Sequence, residues 1–250
     1  MLNRFKQRSY ELERIDTGDY TAEEYEGCII ELQRVNRWLG DARVLRDTLL
    51  RDVAAQNLNS FSVLDVGAGS GELLRVAANW ARHERRELLG VGLELNERSA
   101  EAILEESNST INAVRGDALK LPFADGQFDY VICSLFTHHF FDLQVIEIFR
   151  EMTRVARRRV FVIDLHRHAI AYYLYTTIGK LFLHTSLLRE DGALSILRSF
   201  TPEELSDLGR RASLHGVFVT RHFPFRLVLT ALAESASTNV ASSESASEAA

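Results

Sequence analysis

Short apolar runs alternate with longer amphipathic stretches through the middle of the chain. Residues 62–66, 87–95, 111–114, 128–134 and 159–163 are brief and rich in Val, Ile, Leu and Phe, the pattern of strands buried on both faces. Between them lie stretches of helical period. Residues 72–83 place Leu73, Leu74, Val76 and Ala77 on one side, and 97–106 and 141–155 follow suit. Strands separated by helices predict a doubly wound, mostly parallel sheet in an α/β domain.

The flanks break this rhythm. Residues 1–20 are polar and predict an irregular arm. Thr21-Ala22-Glu23-Glu24 is a capping box. It opens a helix that carries Ile29, Leu32 and Leu39 inward and stops at Gly40, and a second helix spans 43–55. Asn36-Arg37-Trp38 lies at their junction and is read as helix packing in preference to a contact with a bound ligand. After the fifth strand, about 35 residues (165–199) intervene before a second capping box, Thr201 to Glu204 with Pro202 at its first helical position. Tyr172, Tyr173, Tyr175 and Phe182 make this insertion aromatic. It is expected to be a helical lid over an apolar pocket, or else a core helix or dimer surface. The helix after the second box runs to about 212. Two closing strands at 217–219 and 225–229, read as a hairpin, bring the sheet to seven. The resulting division is an N-terminal helical cap (1–58), one domain (59–232) with its lid, and a Ser/Ala/Glu-rich disordered tail (233–250).

The turn after the first strand is Gly67-Ala68-Gly69-Ser70-Gly71, with Asp65 two residues before it. Its spacing differs from the G-x-G-x-x-G of dinucleotide sites. Glycines let the backbone approach a ligand that any Cβ would block, and the helix that follows points its free N–H groups at it. In open α/β sheets, ligands lie beyond the carboxyl ends of the strands. Asp65 ends the first strand, Glu94 the second and Ser134 the fourth, and Asp117 follows the third. Glu94 can accept both hydroxyls of a ribose and would repel a 2′-phosphate, which argues against NADP. Asp117 can accept from an adenine amino group, and Asp65 can neutralise an ammonium.

Asp65-x-Gly67-x-Gly69-x-Gly71, Gly92-Leu93-Glu94-Leu95, Gly116-Asp117-Ala118-x-x-Leu121-Pro122-Phe123 and Phe128-Asp129-x-Val131 follow in order. The set resembles the motifs of class I S-adenosylmethionine (SAM) methyltransferases, nearest the ubiquinone/menaquinone-biosynthesis-like small-molecule branch. Asp164-Leu165-x-Arg167, Arg189-x-Asp191-Gly192-x-x-Ser195 and Ser199-Phe200-Thr201-Pro202 more loosely resemble bacterial quinone- and polyketide-tailoring methyltransferases. The resemblance implies a Rossmann-like methyltransferase fold with SAM as cofactor. It places SAM against Asp65, Gly67, Ala68, Gly69, Gly71, Glu94, Leu95, Asp117, Ala118 and Ser134. The implied reaction is methyl transfer to a small apolar or aromatic acceptor, with a phenolic or quinol hydroxyl favoured. The alternatives are a SAM-binding subunit or sensor without turnover, or a macromolecular acceptor. A phenol is mostly protonated at neutral pH, so a base helps. His139 and His166, each following a strand on the expected site rim, are the favoured candidates, with His138 next.

Composition narrows the partners. A net charge of -6 leaves no footprint for nucleic acid. The N-terminus lacks a signal-peptide core, and a cytoplasmic location is expected. Cys28 and Cys133 read as buried reduced thiols, which cannot form a zinc site unaided. No metal is expected, because Cys133-Ser134 stands where a catechol-type enzyme would place carboxylates. Residues 169–188 approach membrane-span length but contain Lys180 and His184, so no span is expected. Weak membrane-surface association and a homodimer are both compatible with this composition.

Overall fold

The computed structural model describes residues 2–38, 40–105 and 110–233. Its centre is a seven-stranded sheet of β1 (Ser60–Val66), β2 (Glu87–Glu94), β3 (Ile111–Arg115), β4 (Phe128–Ser134), β5 (Ala156–Leu165), β6 (His215–His222) and β7 (Arg226–Leu232). The order is β3-β2-β1-β4-β5-β7-β6. The first five strands pair in parallel, while β7 runs antiparallel to both β5 and β6. The expected hairpin is present, and β7 inserts between its partner and the parallel strands. Strand order reverses between β1 and β4, so their carboxyl ends form the switch-point crevice where such sheets bind ligands.

Helices cover both faces. The N-terminal helices are a single turn α1 (Arg14–Thr17), α2 (Ala22–Trp38), α3 (Asp41–Leu45) and α4 (Arg51–Ala55), with a π turn at Arg46–Leu50 joining the last two. α3 and α4 pack with α5 (Glu72–His83) and α6 (Glu97–Glu105) on one face, around Leu45, Leu74, Ile103, Tyr130 and Ile163. α7 (Asp142–Val155) covers the other, around Phe149, Val131 and Val162. The insertion after β5 is helical as expected: α8 (Ala169–Phe182) and α9 (Ser186–Arg198) form a third cluster with α2 through Cys28, Leu183, Leu187 and Leu188. α10 (Pro202–Arg211) returns to the α7 face, capped by Thr201, whose hydroxyl accepts from the Glu204 amide. No described helix is long and apolar enough to cross a membrane.

Two segments differ from the sequence reading. β5 begins at Ala156, which pairs with Phe128, three residues earlier than its apolar run; Arg157 and Arg158 fall at a register shift before Arg159 pairs with Tyr130, and the three guanidinium groups reach Asp129 and Asp52. The N-terminal arm is also more than irregular. It forms a 3-10 turn at Leu2–Phe5 and then α1, and it buries Arg8 and Glu13. Arg8 donates to the Arg198 and Phe140 carbonyls and to Asp142 Oδ1 (2.7–3.1 Å), with its guanidinium 4.2 Å from the centre of the Phe200 ring. A buried guanidinium needs such partners, and a fold can supply them without any apolar pattern in the segment. The inward side chains expected at Ile29 and Leu39, the packing of Asn36-Arg37-Trp38 and the tail beyond 233 lie outside the described residues.

Candidate functional site

The glycine turn sits at the β1 end of the crevice. The Gly67 amide donates to the Leu93 carbonyl at 2.9 Å, tying the turn to β2. Gly67 and Gly69 both take left-handed backbone angles, φ 71° and 57°, which favour glycine. Beyond that they differ. A Cβ on Gly67 would strike the Phe136 ring, whereas one on Gly69 would meet nothing within 4 Å. Gly69 therefore faces open space at the mouth of the crevice.

The strand-end acids converge on this turn. Glu94 Oε1 accepts the Gly69 amide proton at 2.5 Å. Asp65 is 2% exposed, and its Oδ1 has no hydrogen-bond partner. Burial, reinforced by the charge of Glu94, holds the Asp65 carboxyl well above the usual carboxylate range. Burial also raises Glu94, against the Gly69 and Leu95 amides that favour its ionised form. Two acids at the crevice mouth, one of them buried with an orphaned oxygen, suit a ligand that brings hydroxyl and ammonium donors. They do not suit a phosphate. Leu95, next to Glu94, is 69% exposed. Asp117 is exposed and uses Oδ1 to accept from the Leu119 amide at 2.9 Å, beside buried Ala118. Ser134 ends β4 as expected. Asp129, quoted above as part of a motif, is a fold anchor instead: it accepts from the Ser62 amide and hydroxyl and bonds Arg158.

After β4 the chain turns through Leu135 (φ 51°), lays Phe136 on Gly67, and forms a 3-10 turn over Thr137–His139. The three candidate histidines fare differently. His138 is buried, its Nδ1 2.6 Å from Asp164 Oδ1, and its Nε2 has no partner. Asp164 also accepts from the Thr137 hydroxyl (2.6 Å) and the His138 amide (3.1 Å). Burial by itself would raise this carboxyl, but His138 and these donors hold it down to about 2. His139 is half-buried, its Nδ1 3.1 Å from Asp16. His166 lies elsewhere, on a cavity of about 670 Å³ with His168, Arg221 and Phe225 over the β5–β7 end. Burial, with His168 and Arg221 nearby, lowers it to about 4, so it is neutral at pH 7.

Sequence reasoning missed the residues that surround His138 and His139. Glu13 and Asp16 come from the arm, and Arg198 from the end of α9. Arg198 donates to the carbonyls of Glu11, His138 and His139 and to Asp16 (2.6–3.2 Å). Burial raises Glu13 to about 7, opposed by the neighbouring His139 and Arg198. Nothing in the arm's polar composition marks Glu13 as buried; Asp164 carried a signal, as a lone acid ending an apolar strand.

Residues 64–163 match the family described as "Methyltransferase domain". This stretch is similar to methyltransferase domains. It runs from β1 through β5 and includes the glycine turn, all four strand-end polar residues, and the His138–His139 turn. The arm, the α8–α9 insertion and the β6–β7 hairpin lie outside it. The chain is 30% identical over 106 residues to an uncharacterized methyltransferase of Bacillus subtilis, covering 41% of this chain and 40% of the relative. It is 32% identical over 110 residues to a demethylmenaquinone methyltransferase of Bacillus licheniformis, covering 43% and 46%. The match thus spans less than half the length of these curated relatives. Among solved structures, a SAM-dependent methyltransferase from Aquifex aeolicus shares the fold of this stretch and its surroundings. It has a TM-score of 0.55 and 15% identity, over 80% of this chain and 97% of that one.

Proposed function

We propose that the chain is an enzyme that transfers the methyl group of SAM to a small apolar or aromatic acceptor, with a phenolic or quinol hydroxyl as the target. The observation that carries this reading is the buried, unpartnered Asp65 oxygen beside Glu94 at the glycine turn. Asp65 would face the cofactor's ammonium, Glu94 its ribose hydroxyls and Asp117 its adenine amino group. Leu95 and Ala118 would flank the adenine, while Gly67, Ala68, Gly69, Gly71 and Ser134 line the approach. Bound SAM supplies an electrophilic methyl on a sulfonium. The protein's own work is to align the acceptor and exclude water, which converts an encounter into a positioned displacement. The α8–α9 lid and the arm stand ready for the second task. Proton uptake from the acceptor is placed at the His138–His139 turn, which directly follows β4, rather than at His166 on its separate cavity. The name of the B. licheniformis relative, demethylmenaquinone methyltransferase, supports an acceptor of the quinol kind.

Calorimetric titration with SAM tests the cofactor assignment. The chain should bind SAM, NAD should not compete, and Glu94→Ala should weaken binding roughly ten- to hundredfold. That range is the loss of one charge-assisted hydrogen bond of about 1.5–3 kcal/mol. Methyl-labelled SAM with a cell extract then tests the acceptor. Label in the organic-extractable fraction is expected; label in RNA or protein overturns the acceptor class, and no SAM binding overturns the whole reading.

A further inference from the structure

Glu13, from the arm, and His138 and His139, from the turn after β4, bring one ligand atom each within 4.8 Å of one another. Two of these atoms are buried without hydrogen-bond partners: Glu13 Oε1 and His138 Nε2, on residues 2% and 3% exposed. Leaving two such atoms unsatisfied is costly, and a shared ligand between them relieves both.

The chemistry of the set narrows that ligand. Asp164 Oδ1 lies 2.6 Å from His138 Nδ1, which places the ring proton on Nδ1 and a lone pair on Nε2. A carboxylate behind a histidine is the usual outer support of a metal-bound imidazole. His139 Nδ1 is 3.9 Å from Glu13 Oε1 and 3.1 Å from Asp16 Oδ1. Bonds of about 2.0–2.1 Å put tetrahedral zinc ligands roughly 3.4 Å apart, so small side-chain rotations close the set, with Asp16 in reach as a fourth oxygen. Three carboxylates, of Glu13, Asp16 and Asp164, converge here. Against them the described residues place the Arg198 guanidinium, 3.6 Å from Glu13 Oε1 and 2.9 Å from Asp16 Oδ2, and the buried Arg8 guanidinium, which donates to the His138 carbonyl at 3.4 Å. Arg198 stays anchored on the carbonyls of Glu11, His138 and His139 if Asp16 turns away. The excess negative charge fits a divalent ion.

We propose that Glu13, His138 and His139 form a binding site for a divalent first-row cation of the zinc type. This departs from the absence of metal expected from Cys133-Ser134, because the ligands come from the arm and from residues beyond the strand end. The site stands on its own geometry, while its use rests on the methyltransferase reading above. With a cation bound, His138 and His139 would serve as ligands and an acceptor hydroxyl on the cation would ionise at lower pH, its proton passing to solvent; in the metal-free chain the same two imidazoles are the groups that take the proton up.

The test uses the full chain, stripped with a chelator and without SAM. Zn²⁺ is titrated against a chromophoric chelator, and Co²⁺ is added in parallel as a spectroscopic probe. One Zn²⁺ per chain is expected, with visible d–d bands for Co²⁺ in the wild type. Glu13→Gln and His139→Ala should each weaken Zn²⁺ binding at least tenfold while circular dichroism and the unfolding transition stay unchanged. Absence of stoichiometric Zn²⁺ binding, or binding that both variants retain, overturns the site. Because SAM is titrated separately, loss of this site leaves the cofactor assignment standing.

Discussion

The Phe136 ring lies directly on the glycine turn: a Cβ built on Gly67 would collide with Phe136 Cδ2. The left-handed backbone of Leu135 starts the turn that brings the ring there. The end of β4 and the end of β1 are thus locked together at the switch point, and the contact demands glycine for steric as well as conformational reasons.

Gly67→Ala should therefore cost more stability than Gly69→Ala. Both suffer the left-handed strain of about 1–2 kcal/mol, but only the first must also displace the Phe136 ring. Thermal unfolding of the two variants side by side checks this. Equal losses would mean that Phe136 yields freely.

Asp65→Asn should trade stability against cofactor affinity. The folded Asp65 carboxyl is raised above its unfolded value, so its contribution is favourable at low pH and is lost as pH rises above the ordinary carboxylate range. At pH 7 the neutral amide should make the SAM-free protein more stable, by about 1–3 kcal/mol, while weakening SAM binding. The stability gain should shrink as pH falls towards 4. Denaturant unfolding at several pH values reads the first effect and calorimetry the second; a variant less stable at pH 7 contradicts the assignment.

Asp164→Ala should be severely destabilising, by about 3–5 kcal/mol, since it strands His138 Nδ1, the Thr137 hydroxyl and the His138 and Leu165 amides in the interior. Asp164→Asn, which keeps an acceptor oxygen, should recover part of the loss. Urea midpoints of the two variants check the order.

The sequence by itself determined the strands, the glycine turn and the acids at the strand ends. These depend on local properties: buried strands need runs of apolar residues, a tight turn needs glycine, and strand ends in a doubly wound sheet meet at one edge. The α8–α9 insertion was legible as helices from its apolar content, although not what it would pack against. β5 was read too short because three arginines disguise its start, and only their partners Asp129 and Asp52 make them strand residues. The surroundings of His138 and His139 were decided by the tertiary structure alone. Asp16 reaches His139 across 123 residues of sequence, and Asp164 reaches His138 across 26. A buried ionic cluster has no periodicity, since each member is stabilised by a partner that the chain supplies from elsewhere. Until the arm folds back over the carboxyl edge of the sheet, Glu13 is one acid among many in a polar segment; once folded, it is buried beside two histidines and the Arg198 guanidinium.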